Sequence, residues 1–272
     1  MHLIGAKLNC DVTLFANDLG QALNAIKDAL LSLNGAVAEV NDQKWAFADN
    51  HLVRMHDGAE VVAGRLGKQC RLRRTDLIQS SFVQEHTPAW VYANYILDFD
   101  SERMLIEEKT KQLEFAAFAD AWTRIIMGHQ PGVGYIYIGS IEKVADVWNR
   151  IRALKIVTNA DFVIRNPNYG QKSEWECLAQ ELAEANAREG KRSFENPAGL
   201  NVESPMIRAG IAMAADSYAE FRIRGLDSEG TGRKIESGSK SAERRTLEDV
   251  IDDPADFAAK FYSELQRIRD ER

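Results

Sequence analysis

The segment AWVYANYILDF (residues 89–99), followed by DSERMLIE (residues 100–107), decides how the chain is expected to fold. Both parts are rich in aromatic, branched and other large apolar residues, which favour strands. The acidic and polar residues at positions 98–102 are typical of a turn. The sequence therefore predicts a β-hairpin, with a second strand that begins near Arg103.

Helical and strand patterns alternate around this hairpin. Apolar residues recur every three or four positions in residues 113–127 and again near the C-terminus, which predicts two amphipathic helices. Residues 218–226 instead alternate apolar and polar side chains, which predicts a strand with Arg222 and Arg224 on its polar face. The mixture predicts an α+β fold (mixed α/β), with antiparallel or mixed sheets, packed helices and a basic loop before a C-terminal helix.

Length and composition are those of a globular protein. The chain has 272 residues, of which 45% are hydrophobic and 28% charged. We expect either an N-terminal α/β region at residues 1–88 and an α+β region at residues 89–272, or one composite domain. No apolar run approaches the roughly 20 residues of a membrane helix, so no membrane insertion is expected. Three widely spaced cysteines and the lack of a secretory leader predict a cytoplasmic location.

One segment reverses the overall sign of charge. The formal net charge is -7, yet GRLGKQCRLRR (residues 64–74) has five basic residues and no acidic one: Arg65, Lys68, Arg71, Arg73 and Arg74. Such a concentration indicates a contact with an anion or a phosphate backbone. The alternative is a solvated face of a strand or turn without a ligand.

A second basic group lies in a segment rich in glycine and serine, residues 227–245, and comprises Arg233, Lys234, Lys240, Arg244 and Arg245. It directly follows Arg222 and Arg224. Flexible basic segments suit contacts with phosphates, although an exposed loop without a function has the same composition. We expect the three basic segments to lie on one side of the fold; if they face apart, the hypothesis of DNA binding loses its physical basis.

An alternative interpretation is a magnesium-dependent nuclease of the restriction type. Such enzymes hold magnesium with two carboxylates, while a lysine orients the attacking water. Asp98, Glu107 and Lys109 on the predicted hairpin have roughly this form. They are equally well explained as polar residues without a catalytic role. No dinucleotide-binding or phosphate-loop motif is present, so without this constellation we expect no catalytic residues, metal or cofactor.

The order of elements resembles the RexA-type phage-exclusion proteins. The resemblance covers the C-terminal two-thirds of the chain and depends on residues 90–107, 136–141, 144–154, 162–166 and 218–268. It implies a homodimer that binds duplex DNA without sequence specificity, acts in anti-phage defence or abortive infection with a separate effector, and is not an enzyme. Three hypotheses stay open: this DNA-binding component, the nuclease, and a protein-interaction subunit of a defence complex.

Overall fold

The computed structural model describes residues 1–11, 19–78, 81–109, 112–165, 175–238, 242, 244–246 and 254–270, with the backbone alone for residues 11, 72–78, 81–86, 177, 254–256 and 269. Within these ranges, eight strands form a large sheet: β1 (His2–Asp11), β2 (Val37–Val40), β3 (Gln43–Arg54), β4 (Glu60–Ile78), β5 (Ser81–Asp98), β6 (Arg103–Glu108), β7 (Tyr135–Ser140) and β12 (Arg244–Thr246). A further four form a small sheet: β8 (Ile156–Arg165), β9 (Glu189–Glu195), β10 (Ala219–Leu226) and β11 (Gly232–Glu236).

Every strand pair in both sheets is antiparallel. The order in the large sheet is β12-β1-β6-β5-β4-β3-β2, with β7 paired to β1, and the order in the small sheet is β11-β10-β8-β9. The predicted hairpin is present as β5 and β6, with Asp98 opposite Arg103.

The described helices cover these sheets: α1 (Leu19–Ser32), α2 (Phe115–His129), α3 (Val144–Arg152), α4 (Glu176–Glu184), α5 (Pro205–Ala215) and α6 (Pro254–Asp270). Helices α1 and α2 pack on one face of the large sheet, where Phe47, Tyr95 and Trp122 are fully buried. Helix α6 packs on the opposite face, against Val61 and Ile96. Helices α3, α4 and α5 share a core with the small sheet. This architecture confirms the predicted α+β class.

The hairpin of β4 and β5 extends well beyond its neighbours. The two strands pair from Val61 opposite Asp98 to Ile78 opposite Ser81. Strand β3 reaches only to Lys68, and β6 begins its pairing with β5 at Tyr95. Residues 69–78 and 81–90 therefore form a two-stranded ribbon, roughly 33 Å long at the usual rise of a strand. The basic residues 64–74 lie inside β4.

The sequence pattern predicted a helix or a strand correctly where only one face of the element is buried. Strand β10 alternates buried and exposed residues along its whole length, as expected. Strands β9, β11 and β12 are short, exposed and highly charged, and so lack an apolar period in the sequence. Backbone hydrogen bonds to β8, β10 and β1 hold them in place, and Phe194 and Ile235 also pack against the core of the small sheet.

The two sheets are joined through a buried carboxylate. Glu142, which follows β7, is 1% exposed. Its side chain accepts a hydrogen bond from the backbone N–H of Gly238 at 3.0 Å and pairs with Arg150 of α3. The position 88/89, at which the sequence suggested a boundary, lies within β5, and strands on both sides of it belong to the same sheet.

Cys10 and Cys70 carry free thiols. Burial, followed by the nearby charge of Glu102, raises the pKa of Cys10 to about 12, so this thiol is not a nucleophile at neutral pH. Among the helices of the described residues, none combines the length and the apolar character needed to cross a membrane.

Candidate nucleic-acid interface

Two exposed aromatic side chains lie where the ribbon leaves the large sheet. Trp90 and Tyr92 are each 43% exposed, which is unusual for such large rings. They are two positions apart on β5 and therefore share a face of the sheet. Ile96 shares this face but lies under α6. The aromatic pair thus continues a core face past the point where the helix covers it.

Strand β4 contributes the basic part of the same face. Gln69 lies opposite Trp90, Gly67 opposite Tyr92, and Arg65 opposite Asn94. The name aromatic face is used below for Arg65, Gly67, Gln69 and Arg71 of β4 with Trp90, Tyr92 and Asn94 of β5. A methyl group at Gly67 would lie 3.4 Å from Trp90 Cε3, so the bare backbone of β4 leaves the space beside that ring.

A row of polar side chains crosses four strands of the large sheet, from β3 to β6, and continues past β6 to Lys109. Lys109 Nζ lies 2.7 Å from Glu107 Oε1, and Asn94 donates to Glu107 Oε2 through its side-chain amide at 2.8 Å. Arg65 donates through Nε to Asn94 Oδ1 at 3.0 Å and pairs with Asp49 at 2.9 Å. Since Glu107 is only 5% exposed, these bonds compensate its burial. The row fixes Arg65 and Lys109 in position.

Tyr92 is contacted by both of these cations. The guanidinium carbon of Arg65 lies 4.9 Å from the centre of the tyrosine ring, and Lys109 Nζ lies 5.6 Å from it. Such contacts stabilise an exposed site by about 0.5–1 kcal/mol each. The ring and the two cations are therefore preorganised on the surface.

Arg71 lies further along the ribbon. It is exposed, lies opposite Pro88, and makes no ion pair among the residues that the structure describes. Lys68 lies on the opposite face of β4, with its ammonium 5.7 Å from the ring of Trp45. The side chains of Arg73 and Arg74 lie outside the described residues. Arg65 and Arg71 are thus the two members of this basic segment whose side chains can be assigned to the aromatic face.

Arg233 and Lys234 of the second basic group lie on the small sheet, where carboxylates neutralise them together with Arg222. Arg222 and Lys234 both pair with Glu236, at 2.7 and 2.6 Å, and Arg233 pairs with Asp227 at 2.8 Å. Hydrogen bonds from Lys234 and Arg222 lower the pKa of Glu236. The hydrogen bond from Arg233, with those from backbone N–H groups, does the same for Asp227.

The solvent face of the small sheet carries balanced charge throughout. Strand register places on it five cations and five anions: Arg165, Lys191, Arg222, Arg224 and Lys234, with Asp161, Glu189, Glu195, Glu220 and Glu236. Of these cations, Arg224 is exposed and makes no ion pair among the described residues. A polyanion approaching this face meets no net positive charge.

Arg244 and Arg245 lie on a third part of the molecule. They belong to β12, which β1, β6 and β5 separate from β4, a distance of roughly 19 Å across the sheet. Arg244 pairs with Glu108 at 3.2 Å. Lys240 lies outside the described residues. Register thus places the described basic residues in two sheets and, within the large sheet, on non-neighbouring strands.

Of the residues of the nuclease hypothesis, Glu107 and Lys109 form an ion pair, whereas Asp98 lies apart from them. Asp98 accepts hydrogen bonds from Ser101 Oγ at 2.6 Å and from the backbone N–H of Asp100, so it shapes the turn between β5 and β6. Glu107 lies four residues beyond Arg103, the partner of Asp98, which is roughly 13 Å along the strand. Within the described ranges, no three His, Cys, Asp or Glu side chains are placed to hold a metal ion.

These features define a mixed α+β protein with two antiparallel sheets and a projecting ribbon whose base is aromatic and basic. The chain belongs to the family described as "Domain of unknown function (DUF4747)", whose sequence profile matches residues 65–253. The matched region begins at Arg65 in β4 and contains the ribbon, the aromatic pair and the whole small sheet. No curated protein matches the chain significantly.

Sequence reasoning missed Trp90 and Tyr92, which it assigned to a strand without asking which face they occupy. The alternation of side chains between the two faces of β5 contains the signal that was missed. Trp90 and Tyr92 share a face with the polar Asn94, whereas Val91 and Ala93 share one with Tyr95, which is fully buried. A polar residue in phase with two aromatic residues indicates that the aromatic residues lie toward solvent.

Proposed function

We propose that this protein binds DNA without sequence specificity through the aromatic face. The observation that carries the proposal is the pair of 43% exposed rings, Trp90 and Tyr92, next to Arg65, Arg71 and Lys109. Aromatic side chains stack on bases of any sequence, and arginine contacts phosphates without reading sequence. A two-stranded ribbon is also narrow enough to enter the major groove of a duplex. The proposal does not involve the small sheet.

The proposed ligand is duplex DNA, in line with the resemblance to RexA-type proteins. The decisive experiment measures anisotropy of a labelled duplex and of the matching single strand as salt is raised. We expect affinity to fall linearly with the logarithm of salt concentration, as counterions are released from phosphates. Binding to the single strand alone would replace the duplex with unpaired bases as the ligand. Binding to neither would remove the proposal.

A comparison of Arg71→Ala with its matched control, Arg224→Ala, tests whether DNA binds at the aromatic face. Both arginines are exposed and make no ion pair among the described side chains, but they lie on different sheets. We expect Arg71→Ala to weaken binding evenly across DNA sequences and Arg224→Ala to leave it unchanged. Equal losses in the two variants would contradict the assignment.

We further propose a role in anti-phage defence as a homodimer that acts with a separate effector protein. The support is the resemblance in the order of elements over residues 90–268. Plating efficiency of phage on cells that express the wild-type protein or Trp90→Ala tests the role. If Trp90→Ala no longer binds DNA but still protects the cells against phage, the defence role does not depend on the aromatic face. Light scattering of the purified protein tests the dimer.

A further inference from the structure

One edge of strand β7 pairs with no other described strand. Among the described strands, β7 pairs only with β1. Two hydrogen bonds fix which of its backbone groups point outward. The N–H of Leu8, opposite Ile138, donates to Glu102 on the β6 side at 2.8 Å, and the N–H of Ile141 donates to Gly5 of β1 at 2.9 Å. Since antiparallel pairs alternate, Ile136, Ile138 and Ser140 direct their N–H and C=O groups away from β1.

The outward backbone groups of β7 have almost no hydrogen-bond partners among the described residues. The N–H of Ile136 reaches only the sulfur of Met127, at 3.5 Å, which is a weak acceptor. Ile138 and Ser140 make no hydrogen bond on the outer side with any other described residue. Unpaired groups at alternate positions of a strand are a template for another strand.

The composition of β7 distinguishes it from the other edge strands of the described sheets. Strand β9 carries four charged residues in seven, β11 three in five and β12 two in three, while β2 has only four residues and includes Glu39. Charge and shortness are the usual protection of an edge against pairing. Strand β7, with the sequence YIYIGS, has six residues and neither a charge nor a proline. Its sequence strongly favours a strand, and neither charge nor shortness protects its edge against pairing.

A cleft of about 690 Å³ runs along this edge. One wall is α2, which presents apolar side chains such as Ala119 and Met127 beside the ion pair of Asp120 and Arg124. The other wall is polar and includes Ser217, Ser237 and Glu220, which pairs with Arg165. The cleft therefore offers backbone groups at its base, apolar contacts on one side and polar contacts on the other.

We propose that this cleft binds an extended peptide segment of another protein, which adds to β7 as a further strand. The segment has alternating apolar and uncharged polar residues, because strand side chains alternate between the two walls. A second copy of this chain fits less well, since its own β7 lies between the same two walls. The site is independent of the aromatic face.

Amide hydrogen exchange in the full chain tests the proposal directly. The probe is a blocked six-residue Thr-Val repeat, and its control is the same peptide with alternate amides N-methylated. In the free protein we expect the N–H groups of Ile138 and Ser140 to exchange at least about tenfold faster than those of Tyr137 and Gly139, which face β1. The repeat should slow them, and the N-methylated control should not.

Two surface variants locate the peptide. Ala116 is exposed and lines the cleft, so Ala116→Lys should abolish the slowing. Gln112→Lys adds the same charge at an exposed position outside the cleft and should retain it. Equal behaviour of the two variants, equal protection of all four amides in the free protein, or no slowing at millimolar peptide would each overturn the proposal. Protection that rises with protein concentration alone would identify a second copy as the occupant and also contradict it.

Discussion

The aromatic face and the solvent face of the small sheet contain similar numbers of arginines but differ in what surrounds them. On the small sheet, Glu236 pairs with Arg222 and Lys234, and Asp227 pairs with Arg233. On the aromatic face, Arg65 and Lys109 are held by a polar row and contact Tyr92, while Arg71 is unpaired among the described residues. A run of basic residues in sequence therefore becomes a binding surface only if strand register keeps acidic residues away from it.

The aromatic pair should account for the largest difference between the two faces. Stacking of one unpaired base on an aromatic side chain contributes about 1–3 kcal/mol, so Trp90→Ala should weaken binding to single-stranded DNA by roughly 5-fold to 150-fold. Leu226→Ala is the matched control, because Leu226 is also an exposed apolar residue, 37% exposed, on the small sheet. The measurement is anisotropy with a labelled oligonucleotide. A Leu226→Ala loss as large as that of Trp90→Ala would remove the distinction between the faces.

The polar row should be more important for stability than the ion pairs of the small sheet. Glu107→Ala leaves the buried side-chain amide of Asn94 without its acceptor, which should lower the free energy of unfolding by about 1–3 kcal/mol. Glu236→Ala removes a carboxylate that is 42% exposed and should have a smaller effect, because solvent screens its pairs. Urea denaturation compares the two variants. A larger loss for Glu236→Ala would reverse the proposed ranking.

Salt dependence distinguishes the two arginines without reference to absolute affinity. If Arg71 contacts a phosphate, Arg71→Ala should reduce the slope of log affinity against log salt by about 0.9 for duplex DNA. Arg224→Ala should leave the slope at its wild-type value. An unchanged slope in Arg71→Ala would show that this side chain neutralises no phosphate.

The smallest expected effect concerns pH. Hydrogen bonds from Lys234 and Arg222 lower the pKa of Glu236, and those from Arg233 and backbone N–H groups lower that of Asp227. Their pairs therefore stabilise the folded protein above the unfolded pKa, and this contribution is lost as pH falls through the folded pKa. Between pH 7 and pH 5 the small sheet should gain no affinity for DNA. Carboxyl titration by NMR should give midpoints below the ordinary values, and midpoints at or above them would contradict the pairing.

Much of the fold could be predicted from one-sided burial. The alternation of β10 and the apolar faces of α2 and α6 follow from the need to cover a sheet on one side, and the sequence shows them directly. The length of β4 could not be predicted, because residues beyond Lys68 pair only with β5 and are not patterned by a core. Backbone pairing with a distant strand leaves no local period in the sequence.

The candidate site was predictable only in part. The excess of basic residues in β4 is visible in the sequence, but the neutralisation of Arg222 and Lys234 by Glu236 depends on the register of β10 and β11. The exposure of Trp90 depends on where α6 ends its cover of the sheet, which is a tertiary property. Charge can be counted from sequence, whereas its local balance requires the strand order.

Glu142 has a consequence for how the molecule unfolds. The large and small sheets have separate hydrophobic cores, which by themselves would melt independently. The buried carboxylate of Glu142 is held by Arg150 and by the backbone of Gly238, and it couples the two cores. Opening either core would leave this charge, which is 1% exposed, without its partners. The two halves should therefore melt in a single cooperative transition, and Glu142→Ala, which removes the acceptor of Arg150 and of the Gly238 N–H, should broaden that transition in calorimetry.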